Sequence, residues 1–361
     1  MKRISSIVAA ATVAAGVFSA PLASADEGTP APEGQQLSVI SELTDTSAIS
    51  DQNWVIPGNK ANRPEVKKLQ ATSPAMDGRE IPLAVIPSKT PNSPTIYLLN
   101  GAGSSEQNTD WLSNSHVVDF YKDKNVNVVI PQAGAFSFYT DWEQEPNSQY
   151  LQGKQKWETF LTKELPGAIE PYLKASDKRA IAGMSMSATS SLLLAQHNQG
   201  MYNAVGSYAG CAATSYPLEY EFLRLTVNRG GAQPEQMWGP QGSPNNVYND
   251  ALVNAEKLKG SALYISSATG LASATDMPSY YTNQGMPPAV ASAQAAILQG
   301  EGGVIEAAAN HCTHNLKSKL DSKGIPATYN FRNAGTHSWP GWREDLEKSW
   351  PVFKDALGVE D

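Results

Sequence analysis

Short apolar runs alternate with amphipathic stretches along this chain, from residue 81 to residue 331. The short runs predict strands, and the longer stretches, with apolar residues three and four apart, predict helices. Apolar strands separated by helices need crossover connections, so we predict an α/β fold with a mostly parallel sheet and helices on both faces. The predicted strands are Ile81–Ile86, Thr95–Leu99, Val126–Ile130, Arg179–Ala182, Ala204–Tyr208, Ala262–Ser266 and Ala327–Phe331, and the predicted helices include Trp157–Leu173, Ser187–Gln196 and Val304–Leu320.

Two long segments interrupt this alternation, Arg229–Asn246 and Gly270–Gly303. Both are rich in Gly, Pro, Ser and Gln, lack clean periodicity and exceed ordinary loop length. We predict that they are excursions over the edge of the sheet. Such excursions often shape substrate pockets.

The first 25 residues have the layout of a secretory signal peptide. Lys2 and Arg3 precede an apolar stretch, Ile7–Leu22, which is followed by the small-residue triplet Ala23–Ala25. The apolar stretch contains Ala, Gly and Ser and falls short of the roughly 20 strongly apolar residues that a spanning helix needs. We therefore predict cleavage after Ala25 and secretion of the mature protein.

Beyond the cleavage point, residues 26–36 are rich in Pro, Gly and acidic residues and predict a flexible leader. Residues 37–361 contain no internal repeat or charge-block linker, which favours one catalytic domain. The chain has 35 acidic and 27 basic residues and a net charge of -8. No basic stripe exists to neutralise phosphates, so nucleic acid is not a predicted partner.

The chain has two cysteines, Cys211 and Cys312. In an oxidising environment such a pair can close as one disulfide, while two separate buried thiols are the alternative. No nucleotide-binding glycine fingerprint follows a predicted strand, and no repeated metal-ligand spacing occurs. We therefore predict no cofactor.

A predicted strand, a sharp turn and a predicted helix centre on one serine, Ser185. This is the context of a nucleophile elbow, in which small flanking residues let strand and helix approach while the turn lifts the hydroxyl above the sheet. Gly183 meets this requirement, and Ser187 meets it less well than the usual glycine. An ordinary strand-to-helix turn is the structural alternative.

A serine nucleophile needs a base, and five histidines are available. His337 follows the last predicted strand, where an α/β hydrolase places its base. The other four fit less well, because they precede the serine, lie on its helix or lie in another helical stretch, and they are His116, His197, His311 and His314. His311, Cys312 and His314 lack a convincing fourth ligand for a metal.

An oxyanion hole needs the N–H that follows the nucleophile and a second N–H from the loop after the third strand. Met186 supplies the first. The second comes from the glycine-containing loop Asn100–Ser104, in which we select Ala102. A plain turn is the alternative for this loop.

With these residues in place, the chain resembles the antigen 85 mycolyltransferases and their corynebacterial relatives from about Leu69 to the C-terminus. The order of the matching motifs makes the resemblance specific. The motifs are SPAMDGREI (Ser73–Ile81), IYLLNG (Ile96–Gly101), SFYTDW (Ser137–Trp142), KWETFLTKELP (Lys156–Pro166), GMSMSATSS (Gly183–Ser191), MWGP (Met237–Pro240) and GTHSWPGW (Gly335–Trp342).

Position along the chain and the family resemblance indicate different residues as the triad acid. Position alone favours Asp276, in the loop after the strand Ala262–Ser266, where many α/β hydrolases hold the acid. The run Val304–Leu316 resembles the family helix that presents a glutamate, and this implies Glu306. We take Glu306 as the acid and keep Asp276 as the reserve.

The resemblance implies transfer of a mycolic acid from trehalose monomycolate, through an acyl-serine, to an acceptor hydroxyl in the cell envelope. The implied acceptor is a sugar, a polysaccharide or a protein, and envelope lipids are implied partners. Asn100, Gly101 and Trp339 are the implied substrate contacts, Trp339 by packing on a sugar face. Where the family has a charged aspartate and arginine, this chain has Asn100 and Gly103, so charge-assisted sugar contacts are lost.

Two other functions are compatible with the same residues. A secreted carboxylesterase or lipase would use the same triad and admit water instead of an alcohol. A non-catalytic surface binding protein is the second alternative, because members of the resembled family also adhere to host matrix proteins.

Overall fold

The computed structural model describes residues 36–360, and within them one sheet of nine strands carries helices on both faces. The predicted signal peptide and nearly all of the predicted leader lie outside the described residues. The strands are β1 (Ile40–Glu42), β2 (Lys67–Ser73), β3 (Arg79–Ile86), β4 (Thr95–Leu99), β5 (Asn127–Pro131), β6 (Arg179–Met184), β7 (Ala204–Tyr208), β8 (Ala262–Ala268) and β9 (Thr328–Arg332).

The strand order is β1-β2-β3-β5-β4-β6-β7-β8-β9. From β5 onward in this order all neighbours pair in parallel, while β1, β2, β3 and β5 pair antiparallel. β4 to β8 are buried almost throughout, as expected for parallel strands covered on both faces. The predicted strands are present, and the antiparallel extension formed by β1 and β2 was not predicted.

Helices cover both faces, and each face has its own apolar core. No helix within residues 36–360 is both long and apolar enough to cross a membrane. The helices are α1 (Trp111–Asn114), α2 (Val117–Tyr121), α3 (Trp157–Thr159), α4 (Pro166–Leu173), α5 (Met186–His197), α6 (Pro217–Arg229), α7 (Pro234–Trp238), α8 (Pro244–Tyr248), α9 (Pro278–Thr282), α10 (Pro288–Ile297), α11 (Gly303–Ser322) and α12 (Trp339–Leu357).

Two of the three predicted helices are continuous, α5 and α11. The predicted helix Trp157–Leu173 is instead divided into α3, a π-helical turn at Phe160–Glu164 and α4, which begins at Pro166. A second π-helical turn, Leu298–Gly302, joins α10 to α11. Each π-helical turn therefore continues the preceding helix without an intervening loop.

The two predicted excursions contain short helices. α7 lies within the first and α8 begins there and extends two residues beyond it, while α9 and α10 lie within the second. Each of these four helices has proline at its first position, where the missing N–H costs no hydrogen bond. Four of the prolines that suggested loops from the sequence are therefore the first residues of helices.

Candidate active site

Ser185 is the single residue between β6 and α5, and its backbone is unusual. Its φ of 57° and ψ of -121° lie in a region that non-glycine residues rarely occupy. The Ser185 N–H donates to the carbonyl oxygen of Tyr208 at 2.8 Å, which ties the turn to the end of β7. The side chain remains partly exposed at the end of the sheet. This is the geometry of a nucleophile elbow.

The residues on either side of Ser185 explain how the turn closes. A Cβ atom on Gly183 would collide with the backbone of Ser187, so only glycine fits there. The Ser187 hydroxyl accepts from the N–H of Met184 at 3.0 Å and donates to the carbonyl oxygen of Leu99 at 3.2 Å. The serine that departs from the usual glycine is buried and joins the turn to β4.

Three predicted side chains form one hydrogen-bonded chain. His337 Nε2 lies 2.7 Å from Ser185 Oγ, and His337 Nδ1 lies 2.7 Å from Glu306 Oε2. Glu306 is fully buried, and its other oxygen accepts from the N–H of Ala268 at 2.6 Å. That carboxylate therefore has one oxygen fixed by the end of β8 and the other directed at the imidazole.

The loop that carries His337 is held by backbone contacts on both sides. The N–H of His337 donates to the carbonyl oxygen of Gly302 at 3.0 Å, and the N–H of Gly335 donates to that of Leu271 at 2.6 Å. Gly335 has a φ of 137°, which favours glycine. The edge of the Trp342 ring packs against the imidazole, with ring centroids 5.0 Å apart.

Asp276, the reserve acid, does not bond the imidazole. It is fully buried, and its carboxylate accepts from the hydroxyls of Thr336 and Ser338, the two neighbours of His337. Sequence reasoning did not assign a role to these two hydroxyls. The available signal was the tripeptide Thr-His-Ser itself, which brackets the base with hydrogen-bond donors.

The two predicted oxyanion donors follow the ends of adjacent strands at equivalent positions. β4 and β6 pair in parallel with Leu99 opposite Gly183, so Ala102 and Met186 each lie three residues beyond that pair. Within residues 36–360, neither backbone N–H donates to a protein acceptor. The carbonyl oxygen of Ala102 accepts from the N–H of Phe136 at 2.8 Å, which orients its peptide. Both amides are thus free to bind a ligand oxygen.

The side chain of Asn100, an implied sugar contact, bonds other groups of the protein. Asn100 is fully buried, and its amide donates to the carbonyl oxygen of Pro131 at 3.0 Å and accepts from the N–H of Trp111 at 3.1 Å. Both ends of the amide are occupied in holding the loop together. Gly101 is buried beside Met184, and a side chain on Gly103 would collide with Thr109.

Trp339, the third implied substrate contact, is the first residue of α12 and is partly exposed. Its ring makes edge-to-face contacts with Trp111 and Trp342, at centroid distances of 5.5 and 5.2 Å. These contacts fix the ring within an aromatic cluster that also reaches His337 through Trp342. Packing on a sugar face stays a prediction.

The remaining histidines have structural partners. His116, His197 and His311 each bond a glutamate side chain, and the ring of His314 stacks on Phe331. Within the described part of the chain, no three His, Cys, Asp or Glu side chains gather as metal ligands would.

Cys211 and Cys312 form a disulfide. The bond links the loop after β7 to α11, the helix that carries Glu306. The acid-bearing helix is therefore attached covalently to the segment next to the nucleophile turn.

Comparisons with known proteins relate the chain to acyl-transferring enzymes. A model of the family named Esterase matches residues 73–352. The chain is 30% identical over 302 residues to "Diacylglycerol acyltransferase/mycolyltransferase Ag85A" of Mycobacterium tuberculosis, covering 81% of this chain and 82% of that protein. It is 28% identical over 333 residues to the corresponding Ag85B of Mycobacterium leprae, covering 90% and 94%.

Solved structures share the fold. Mycobacterium tuberculosis MPT51 (FbpC1) superposes with a TM-score of 0.65 at 22% identity, over 82% of this chain and 99% of that chain. An S-formylglutathione hydrolase from Agrobacterium tumefaciens superposes with a TM-score of 0.56 at 16% identity, over 81% and 96%. These matches confirm the predicted α/β-hydrolase fold.

Proposed function

Because this chain belongs to the antigen 85 family, within the larger Esterase family, we propose that it is a secreted mycolyltransferase that works through an acyl-serine. The donor is trehalose monomycolate. The acceptor is a hydroxyl of a trehalose ester, of cell-wall arabinogalactan or of a protein. Family membership alone makes the chain an acyl-transferring or acyl-hydrolysing enzyme.

The hydrogen-bonded chain from Ser185 through His337 to Glu306 is the observation that carries this proposal. Glu306 accepts the Nδ1–H of the imidazole, which leaves the Nε2 lone pair facing the serine hydroxyl. His337 takes the hydroxyl proton as the serine oxygen attacks the ester carbonyl. The bond from the carbonyl carbon to the sugar oxygen then breaks, and His337 returns the proton to the departing trehalose.

The N–H groups of Ala102 and Met186 stabilise the oxyanion of the tetrahedral intermediate. Each such donor contributes roughly 3 to 4 kcal/mol to transition-state binding in comparable enzymes. In the second half of the reaction an acceptor hydroxyl loses its proton to His337 and attacks the acyl-serine. The new ester leaves and the Ser185 hydroxyl is restored.

Exposed apolar side chains next in sequence to the triad acid, and in the segment bonded to the His337 loop, suit a long-chain ester. Val304 and Ile305, which immediately precede Glu306, are 72% and 42% exposed, and Leu271, whose carbonyl oxygen binds the His337 loop, is 67% exposed. Between Asp276 and Glu301 the chain has no charged residue. An uncharged, apolar rim favours a lipid-like acyl donor over a charged one.

The acceptor side departs from the resembled family. Asn100 and Gly103, at the positions of the family's charged sugar contacts, offer the sugar no side chain. Recognition of the acceptor therefore uses other groups, and the candidate is Trp339, which is partly exposed and contacts the Trp342 ring that packs against the base.

The function is tested by incubating mature protein with trehalose monomycolate and following the products by mass spectrometry. We expect a transferred ester, together with free trehalose, and no product from the Ser185→Ala variant. Free mycolic acid without any transferred ester would make the protein a hydrolase, the second candidate, which the Esterase match favours. The secreted protein itself is expected to begin at Asp26.

A fluorophosphonate separates catalysis from mere binding. We expect the wild-type protein to be labelled at Ser185 and the Ser185→Ala variant to remain unlabelled. A folded wild-type protein that resists labelling would support the non-catalytic surface protein instead.

A further inference from the structure

A second buried carboxylate lies beside the base without bonding it. Asp276 ends a short 3-10 turn, Ala274–Asp276, in the segment between β8 and α9, and no part of it is exposed. Its carboxylate accepts four hydrogen bonds, from one backbone N–H and three hydroxyls. Burying a carboxylate costs free energy unless hydrogen bonds compensate for the lost water, and these four donors offset that cost.

The four hydrogen bonds divide between the two oxygens. Oδ2 accepts from the N–H and the hydroxyl of Ser273, at 2.8 and 2.7 Å, within the same segment. Oδ1 accepts from the hydroxyl of Thr336 at 2.6 Å and from that of Ser338 at 3.3 Å. One carboxylate therefore ties the segment after β8 to the residues immediately before and after His337.

On this side the His337 loop borders open space, although Thr336 and Ser338 themselves are buried. A cavity of about 230 Å³ lies against the loop, and its lining includes Ser273, Thr336 and Ser338. Backbone hydrogen bonds from Gly335 to Leu271 and from His337 to Gly302 hold the loop, and the hydroxyl contacts with Asp276 add side-chain hydrogen bonds on this side.

We propose that Asp276 is a positioning residue that holds His337 in line with Ser185 through the hydroxyls of Thr336 and Ser338. The inference rests on the proposed function of the triad. Asp276 occupies the place along the chain where position alone predicts the triad acid, while Glu306 bonds the ring. Glu306 thus bonds the imidazole ring, and Asp276 bonds the loop that carries it.

Thr336→Val tests this contact because it removes the hydroxyl and keeps the shape of the side chain. We expect kcat for hydrolysis of a p-nitrophenyl ester to fall about 10- to 100-fold with KM within about twofold, since misplaced groups slow the chemical step rather than binding. Thr336→Ser, which keeps the hydroxyl, is expected to retain most of the wild-type kcat. Thr226→Val, on α6, where the hydroxyl bonds the carbonyl oxygen of Phe222 in the same helix, is the matched control and should equal the wild type.

Fluorophosphonate labelling of the same variants separates positioning from folding. The labelling rate at Ser185 should fall with kcat, while the final labelled fraction and the unfolding midpoint stay near wild type. Asp276→Ala combined with Thr336→Val should be no slower than Asp276→Ala alone, because both remove the same contact.

Three results would overturn the inference: a folded Thr336→Val protein that is labelled at the wild-type rate, a Thr336→Ser protein as slow as Thr336→Val, or additive losses in the double variant. Absence of labelling in the wild type would instead defeat the proposed function. The two failures are therefore distinguishable.

Discussion

The nucleophile turn and the acid–base half of the site are built in different ways. The turn is one continuous stretch, Gly183 to Ser187, whose form follows from a strained serine and a glycine with no room for a side chain. The acid–base half is assembled from Asp276, Glu306 and His337, which are at least 30 residues apart in sequence. A local turn can be recognised from a motif, whereas an assembled site depends on how distant segments meet.

The two regions also differ in what stabilises them. Backbone and packing dominate in the turn, since Ser187 and Met184 are buried beside β4. Two fully buried carboxylates dominate in the acid–base half, and hydrogen bonds offset the free-energy cost of burying each of them. We therefore expect polar substitutions to lower kcat most in the acid–base half of the site.

Glu306→Gln should have the largest effect, with kcat lowered about 10⁴-fold, as in other triads that lose their acid. The N–H of Ala268 holds one side-chain oxygen, so the amide NH₂ of the variant must face His337 Nδ1. The imidazole would then carry its proton on Nε2 and could not accept one from Ser185. Ester hydrolysis and unfolding midpoints provide the measurement.

Two matched variants sharpen this result. Glu301→Gln removes an exposed carboxylate in the π-helical turn and should leave kcat unchanged. Asp276→Asn should lose far less than Glu306→Gln, because hydroxyls can donate to or accept from the new amide. A folded Glu306→Gln protein with wild-type activity would reject Glu306 as the acid.

Removing the disulfide should have an intermediate effect, on stability rather than on chemistry. Cys211 and Cys312 are 101 residues apart, and a native disulfide typically adds about 2 to 4 kcal/mol to the free energy of unfolding. We expect that loss in urea unfolding of the Cys211→Ser/Cys312→Ser variant, with kcat nearly unchanged at 25 °C. Reductant should then have no further effect, and equal stability with and without the bond would contradict this expectation.

Ser187→Gly should have the smallest effect. The variant restores the usual glycine of the motif but removes a hydroxyl that bonds Met184 and Leu99. We expect the free energy of unfolding to fall by about 1 kcal/mol and kcat to stay within about threefold. A more stable Ser187→Gly protein would mean that the buried hydroxyl is tolerated rather than useful.

The sequence predicted the strands of the parallel sheet because buried parallel strands are continuous apolar runs. It did not predict β2, which begins with Lys67 and Lys68 and whose buried positions, such as Leu69 and Ala71, alternate with more polar ones. The short helices of the excursions were missed because proline suggests loops, although the same residue suits the first position of a helix.

Within the site, Ser185 and His337 could be selected from motif and chain order, because a strand end places each of them. Glu306 could not, since a helix 30 residues upstream presents it, and only the resemblance pointed to it. The hydrogen bonds of Asn100 within the protein could not be predicted, because a sequence does not show which groups an amide bonds.

The π-helical turn Leu298–Gly302 makes chain length, rather than residue identity, the constrained property of this region. It joins α10 to α11 without a break, and the carbonyl oxygen of Gly302 binds the backbone of His337. Inserting or deleting one residue here would rotate α11 by about 100° and carry Glu306 away from the imidazole. We therefore expect homologous enzymes to vary in the exposed residues of this turn. Their sequence alignments should show no gap across it.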